Sequence, residues 1–142
     1  GEDMEVFRRL HFPSLGRGVP ESIENDDPVQ AKQILGACRL VIASRYHACV
    51  GALSMSVPTI THGWTYKYRH LHDDFGVPEF LIDPAEADRR LGSLIDRATA
   101  EHDRIRTRLQ QANRGIDRKL SSMWDEVTAV INRASSPRQE SA

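Results

Sequence analysis

A basic and titratable group of side chains follows a short apolar run in the first half of the chain. The run at residues 40–43 reads LVIA, and Ser44, Arg45, Tyr46 and His47 come directly after it. An arginine offers a planar fork that suits carboxylate or phosphate. A histidine can exchange a proton near neutral pH. These residue types together predict a site for a small anion, with proton transfer nearby.

A second polar cluster follows the next apolar run. A β-branched segment ends in His62, and Trp64 and Lys67 lie shortly after it. Ligands bind at the carboxyl ends of strands in an open parallel sheet. If the two runs are neighbouring parallel strands, Lys67 adds a second positive charge to the pocket of Arg45, and His62 lines that pocket.

The elements that must position these residues are two strands and a helix. The run 40–43 lacks polar alternation, which is typical of a parallel strand covered on both faces. Ser44 is the predicted N-cap of a helix over 45–55, which is apolar nearly all round and therefore belongs in a core. Thr59–His62 is the next predicted strand. We expect the two strands to be adjacent, parallel and buried.

Local signals place further elements on either side of this unit. The sequence NDDP at 25–28 predicts a helix start, and Gly76 predicts the end of a helix over 66–75. A third short strand is predicted at 79–82. This order indicates a three-layer, Rossmann-like α/β domain with a mainly parallel sheet.

The second half of the chain reads as long helices. Apolar residues recur every three or four positions from Leu91 to Val130, which predicts one or two amphipathic helices. Breaks are expected near 99–101 and at Gly115. We expect the stripe to lack sufficient partners inside this chain and to pack on a second copy or on a missing domain.

Composition limits the class of protein. The chain has 142 residues, 39% hydrophobic and 27% charged, which is enough for one globular domain with a core. A net charge of -1 gives no pull towards nucleic acid. No apolar run has the length of a membrane span. The start, GEDM, is not typical of a signal peptide and indicates a fragment boundary.

The histidines raise the question of metal binding, and the cysteines raise that of a disulfide bond. His62, His70 and His72 invite a metal interpretation, but the last two are two positions apart on a predicted helix and point to different faces. We favour surface histidines and expect no metal. Cys38 and Cys49 are expected to be reduced.

The central segment resembles the polysaccharide pyruvyl transferase family. The motif residues are Ser-Arg-Tyr-His-Ala at 44–48, Val-Pro at 57–58, Trp64 and Lys67, and the likeness runs from about residue 26 to residue 83. Members of the family look like two-domain enzymes of GT-B-like shape. The resemblance implies that this chain covers only the C-terminal domain.

The resemblance also implies a reaction. Such enzymes transfer a pyruvyl group from phosphoenolpyruvate, as a ketal, to a pair of sugar hydroxyls in cell-surface polysaccharide or glycolipid biosynthesis. Arg45 would grip the donor anion, His47 would be the acid/base or a donor contact, and Lys67 would neutralise the phosphate. Ser44, His62 and Trp64 would bind substrate, although Trp64 stands where members commonly have Tyr.

The expected organisation follows from both lines of reasoning. Residues 1–83 form the Rossmann-like core with the donor site, 84–134 form the helices, and 135–142 form a disordered tail. The expected partners are phosphoenolpyruvate and a sugar or lipid-linked saccharide acceptor, without a further cofactor and without nucleic acid. We expect a cytoplasmic location, with a peripheral position at the inner membrane face as an option, and no activity in the isolated fragment.

Two other functions stay open at this point. The first is the nucleotide-sugar-binding domain of a GT-B-type glycosyltransferase, in which Glu79 or Asp83 would contact the ribose. The second is a non-catalytic fragment whose long helices mediate assembly.

Overall fold

The computed structural model describes residue 23 and residues 25–135. The predicted tail at 135–142 lies outside the described residues apart from Ser135, which is the last residue of a helix. The division of the chain at residue 83 stays a prediction.

Three strands form one parallel sheet at the centre of the fold. They are β1 (Val41–Ala43), β2 (Thr59–His62) and β3 (Leu81–Ile82), in the order β1-β2-β3. The predicted pairing of the first two strands is confirmed, since both neighbours of β2 run parallel to it. The fold is therefore α/β with a small parallel sheet.

The predicted burial of the first strand is wrong. β1 is an edge strand among the described residues, and Ile42 is 46% exposed. An apolar run of four residues does not indicate whether a strand has neighbours on both sides. In contrast, β2 occupies the centre, where Thr59, Ile60 and Thr61 are buried.

The third strand is shorter than predicted. Pro78–Phe80 forms a 3-10 turn, and only Leu81–Ile82 is extended. A proline fixes its own φ and has no N–H to give to a neighbouring strand, which favours a turn at this position.

Helices connect the strands and lie close to the predicted bounds. They are α1 (Pro28–Ala37), α2 (Tyr46–Ser54) and α3 (Tyr66–Asp74). Asp27 caps α1 by accepting a hydrogen bond from the backbone N–H of Val29 at 2.8 Å. Gly76 follows α3 with a φ of 67°. Residues with a Cβ rarely adopt this left-handed conformation because it is strained for them, whereas glycine adopts it readily.

Two further helices complete the chain. A 3-10 turn at Pro84–Glu86 precedes α4 (Ala87–Ala100), and α5 (His102–Ser135) follows after one residue. The predicted break near residue 101 is confirmed, whereas Gly115 does not interrupt α5. No helix in the described ranges is long and apolar enough to cross a membrane.

The core lies between the sheet and the helices. Its buried members come from every element type, and the largest are Leu53, Ile60, Phe80, Ile82, Ile105 and Leu109. The first half of the predicted stripe therefore packs within this chain.

The second half of the stripe does not. Six large apolar side chains on α5 are exposed to between 37% and 61%: Leu120, Met123, Trp124, Val127, Val130 and Ile131. Packing of this face on a partner or a further domain stays a prediction.

The C-terminus of α2 is fixed by a side chain from α5. Ser56 has a φ of 59°, and the N–H groups of Ser56 and Val57 bond back to the carbonyls of Leu53 and Ala52, as in a Schellman motif. The amide of Asn113 donates to the carbonyl of Leu53 at 3.1 Å and to the hydroxyl of Ser56 at 3.0 Å. α5 therefore holds the helix that begins at the predicted site.

Replacing Asn113 should loosen this attachment. Asn113→Ala removes two partly buried hydrogen bonds and should lower the free energy of unfolding by about 1–2 kcal/mol, as measured by urea denaturation. Gln110→Ala, at an exposed position on the same helix, is the control and should change it by less than about 0.5 kcal/mol. Equal losses in both variants would contradict this role for Asn113.

The expectation that His72 lies on the surface is wrong. His72 is fully buried and has a protein partner at each ring nitrogen. Its Nδ1 lies 3.0 Å from the carbonyl of Val77 and must donate, because a carbonyl only accepts. Its Nε2 lies 2.7 Å from the hydroxyl of Thr61 and accepts from it. This ring joins α3 to β2 and to the turn before β3.

Burial lowers the pKa of His72, although the bond to Val77 and the charges of Asp73 and Glu79 act in the opposite direction. The unfolded chain then takes up this proton at a higher pH than the folded chain does. The contribution of His72 to the free energy of unfolding is therefore fully present above the unfolded pKa of about 6.5, and it declines as the pH falls below that value.

We expect urea denaturation to show this loss, at up to about 1.4 kcal/mol per pH unit below pH 6.5. His72→Gln should lower stability at pH 7.5 but flatten the dependence between pH 7.5 and pH 5.5. His70→Gln, at an exposed position on the same helix, should keep the wild-type slope. An unchanged slope in His72→Gln would exclude His72 as its source.

Candidate functional site

Parallel pairing places the ends of all three strands at one edge of the sheet. Ser44 follows β1, the loop 63–65 follows β2, and Asp83 follows β3. The sequence-predicted residues Ser44, Arg45, His62 and Trp64 therefore share this edge, as the argument from strand order required.

Arg45, not Ser44, is the N-cap of α2. Arg45 has extended backbone angles (φ −88°, ψ 127°), and its carbonyl accepts the first helical bond, from Cys49 N–H at 3.1 Å. The prediction for Ser44 is wrong because the chain stays extended one residue longer after β1. Arg45 therefore lies at the positive end of the dipole of α2.

Lys67 is brought to the start of α2 by aromatic contacts. Its Nζ lies 5.1 Å from the ring centre of Tyr46 and 5.4 Å from that of Tyr68. These distances are within the range of cation–π attraction. The two tyrosine rings also meet edge to face at 5.7 Å. The ammonium group of Lys67, in the first turn of α3, thus lies beside Tyr46, the first residue of α2.

A direct hydrogen bond joins the same two segments. The hydroxyl of Tyr68 donates to the carbonyl of Ser44 at 2.6 Å. Tyr68 can approach because Gly63 has no side chain: a Cβ there would lie 2.7 to 3.0 Å from three ring atoms of Tyr68. Gly63 therefore has a packing role in this edge.

The remaining predicted residues are placed as follows. His47 is exposed in the first turn of α2, with its ring centre 6.1 Å from that of Tyr46. His62 is half-buried at the end of β2, and Trp64 is 77% exposed. Convergence of Arg45, His47 and Lys67 on one ligand stays a prediction.

A cavity that the sequence did not indicate lies beside this edge. It has a volume of about 230 Å³ and lies at the ends of β2 and β3, and we call it the β2–β3 cavity. Its charged and polar lining comes from Trp64, Thr65, Arg69, Asp83, Glu86 and Arg90. Arg69 was detectable in principle, since it lies two positions after Lys67. Arg90 was not, because its approach depends on how α4 packs.

Glu79 forms ion pairs with Arg97 and Arg108. Burial would raise its pKa, but a hydrogen bond from Arg108 at 2.7 Å and the charge of Arg97 lower it. Glu79 thus joins the turn before β3 to α4 and α5, and it is not free to bind a ribose. Asp83 does lie at the ligand edge, where its Oδ1 accepts from Ala85 N–H at 2.9 Å.

Comparison with known proteins agrees with the motif. Residues 2–66 match the family model of the polysaccharide pyruvyl transferases. Over this segment, the chain is similar to that family. The matched segment contains Ser44, Arg45, His47, His62 and Trp64, while Lys67 comes directly after it. No solved structure matches the chain, so the GT-B-like shape stays a prediction.

The contact between Gly63 and Tyr68 yields a test of how this edge is built. Gly63→Ala should displace the tyrosine ring, break its bond to Ser44 and lower the free energy of unfolding by about 1–3 kcal/mol. Tyr68→Phe should remove the bond alone and cost about 1 kcal/mol. Both are measured by urea denaturation.

Gly92→Ala is the matched control. Gly92 lies within α4, and a Cβ there would meet no atom within 4 Å. This change should stabilise the protein by about 0.5–1 kcal/mol, because alanine suits a helix better than glycine. If the Gly63→Ala protein is as stable as the wild type, the close approach of Tyr68 to Gly63 contributes nothing to the free energy of unfolding.

Proposed function

We propose that this chain binds phosphoenolpyruvate at the start of α2 and serves the transfer of its pyruvyl group, as a ketal, to two hydroxyls of a sugar. The family match supports a pyruvyl transferase in general terms. The observation that carries the finer proposal is the position of Lys67, whose Nζ lies 5.1 Å from the ring centre of Tyr46. Tyr46 itself lies between Arg45 and His47 in the sequence.

The donor has two anionic groups, a phosphate and a carboxylate. The start of α2 offers backbone N–H groups and the positive end of the helix dipole. Arg45 adds a fork that can bind either group through two hydrogen bonds. Lys67 adds a point charge from the start of α3. Two cations and one helix end match the two charged ends of this substrate.

The reaction needs proton transfer as well as charge. Protonation of the methylene carbon gives an oxocarbenium-like centre, which one sugar hydroxyl attacks with loss of its proton. Phosphate then leaves with the electrons of its C–O bond, and the second hydroxyl closes the ketal with loss of another proton. His47, exposed in the first turn of α2, is the proposed acid/base, and Lys67 would stabilise the departing phosphate.

The glycosyltransferase alternative is weaker on this structure. One of its two candidate ribose ligands, Glu79, is held by Arg108 and Arg97. The assembly alternative keeps one supporting observation, the exposed apolar face of α5 that begins at Leu120. Light scattering of the chain with and without residues 119–142 tests it, since loss of an oligomer on truncation would favour assembly.

Binding of the donor can be tested on this chain directly. We expect amide resonances at the start of α2 to shift when phosphoenolpyruvate is added, and not when UDP is added. Arg45→Ala should weaken that binding by at least about 30-fold, since a lost charged contact costs about 2 kcal/mol or more. Lys67→Ala should weaken it less. His47→Ala should leave binding largely intact.

Two comparisons make this experiment decisive. Arg133→Ala, on the last turn of α5, removes one positive charge elsewhere and should bind like the wild type. In an enzyme that carries both domains, His47→Ala should lower turnover by about 10²–10⁴-fold. Unchanged binding in Arg45→Ala, or a response to UDP in place of phosphoenolpyruvate, would defeat the proposal.

The proposal includes the setting of the reaction. The isolated chain would bind donor without turning it over, because the remaining wall of the sugar site would come from another domain. A cytoplasmic location, peripheral at the inner membrane face when the acceptor is lipid-linked, belongs to the same proposal.

A further inference from the structure

The β2–β3 cavity is separate from the proposed donor position, although one loop borders both. α3 begins at Tyr66 directly after this loop and carries Lys67 and Arg69. Residues two apart on a helix point to different sides. Lys67 lies over the ring of Tyr46, towards β1, whereas Arg69 lines the cavity beside β3. The edge is thereby divided into two compartments with different side chains.

The charges of the cavity are balanced. Arg69 and Arg90 face Asp83 and Glu86, and Arg90 is paired with Glu86 at 2.6 Å. A site with equal numbers of cations and carboxylates has no net attraction for an anion. It does combine donors and acceptors, because guanidinium groups only donate and carboxylates only accept. Hydroxyl groups, which do both, are the ligand chemistry that such a lining fits.

Two further observations concern the loop that borders the cavity. Trp64 is 77% exposed and offers a flat apolar face at the rim, of the kind that packs against the C–H face of a sugar ring. The hydroxyl of Thr65 is buried and has no hydrogen-bond partner among the described residues. A buried polar group normally has a partner, so a ligand hydroxyl or a water molecule would complete it.

We propose that the β2–β3 cavity binds the hydroxyl groups of one neutral sugar residue, with the sugar ring against Trp64. The volume of about 230 Å³ is below the roughly 300–1,000 Å³ of sites for larger ligands, which suits one sugar residue better than a nucleotide sugar. Identification of this sugar as part of the pyruvyl acceptor rests on the proposed function. The cavity itself does not depend on it.

The two tryptophans of the chain provide the readout. Trp64 lies at the cavity and Trp124 on the far half of α5, so each indole N–H resonance reports one location. We expect methyl glycosides of galactose, glucose or mannose, added without phosphoenolpyruvate, to shift the Trp64 signal saturably. Affinity should be in the millimolar range, as suits a few contacts in an open cavity. The Trp124 signal should stay in place, and Trp124→Phe assigns it.

Asp83→Asn and Arg69→Gln test the lining. Asp83→Asn keeps the size of the side chain and Arg69→Gln shortens it, and each removes the charge and should weaken sugar binding at least about tenfold. Asp88→Asn, at an exposed position on α4, should bind like the wild type. Because Asp83 also caps the turn at Pro84–Glu86, a dispersed amide spectrum of Asp83→Asn is required, and Arg69→Gln supplies an independent result.

The outcomes separate this inference from the donor proposal. No saturable shift with any of the glycosides, or equal shifts of both tryptophans, would overturn the sugar site even if phosphoenolpyruvate binds at α2. A Trp64 shift caused by inorganic phosphate, and abolished by Arg69→Gln, would also overturn it by showing an anion site. Sugar binding without any response of α2 to phosphoenolpyruvate would support the cavity and refute the donor proposal.

Discussion

The phenol of Tyr68 links the two segments of chain that carry the candidate site. Its hydroxyl bonds to the carbonyl of Ser44, and its ring occupies the space that a side chain at Gly63 would fill. Tyr68 also packs edge to face on Tyr46. The start of α2, which follows Arg45, and the start of α3, which carries Lys67, are therefore held together by these contacts.

The first turn of α3 places Lys67 and Arg69 in two different compartments. The first compartment holds Lys67 beside the ring of Tyr46, whereas the β2–β3 cavity is lined by Arg69, Asp83 and the ion pair of Arg90 with Glu86. Under the proposed function, the first compartment would take the charged donor and the second the neutral, hydroxyl-rich acceptor. The proposed ketal formation would require the two ligands to lie within reach of each other, and a single loop, 63–65, separates the two compartments.

Local patterns predicted the elements better than the side-chain environments. The strand Thr59–His62, the stop at Gly76 and the break at Glu101 depend on short-range chemistry, and all three are in the structure. The burial of His72 could not be read from its helix, because it depends on Thr61 and on the chain turning back at residue 77. The cavity was missed for the same reason, since its lining comes from segments far apart in sequence.

A crystal structure of the chain with phosphoenolpyruvate bound tests the central claim most directly. The account predicts ligand density at the start of α2, with phosphate or carboxylate oxygens about 2.7–3.2 Å from the guanidinium of Arg45 and the ammonium of Lys67. Density confined to the β2–β3 cavity, or an Arg45 side chain turned away from a ligand held by other residues, would contradict it.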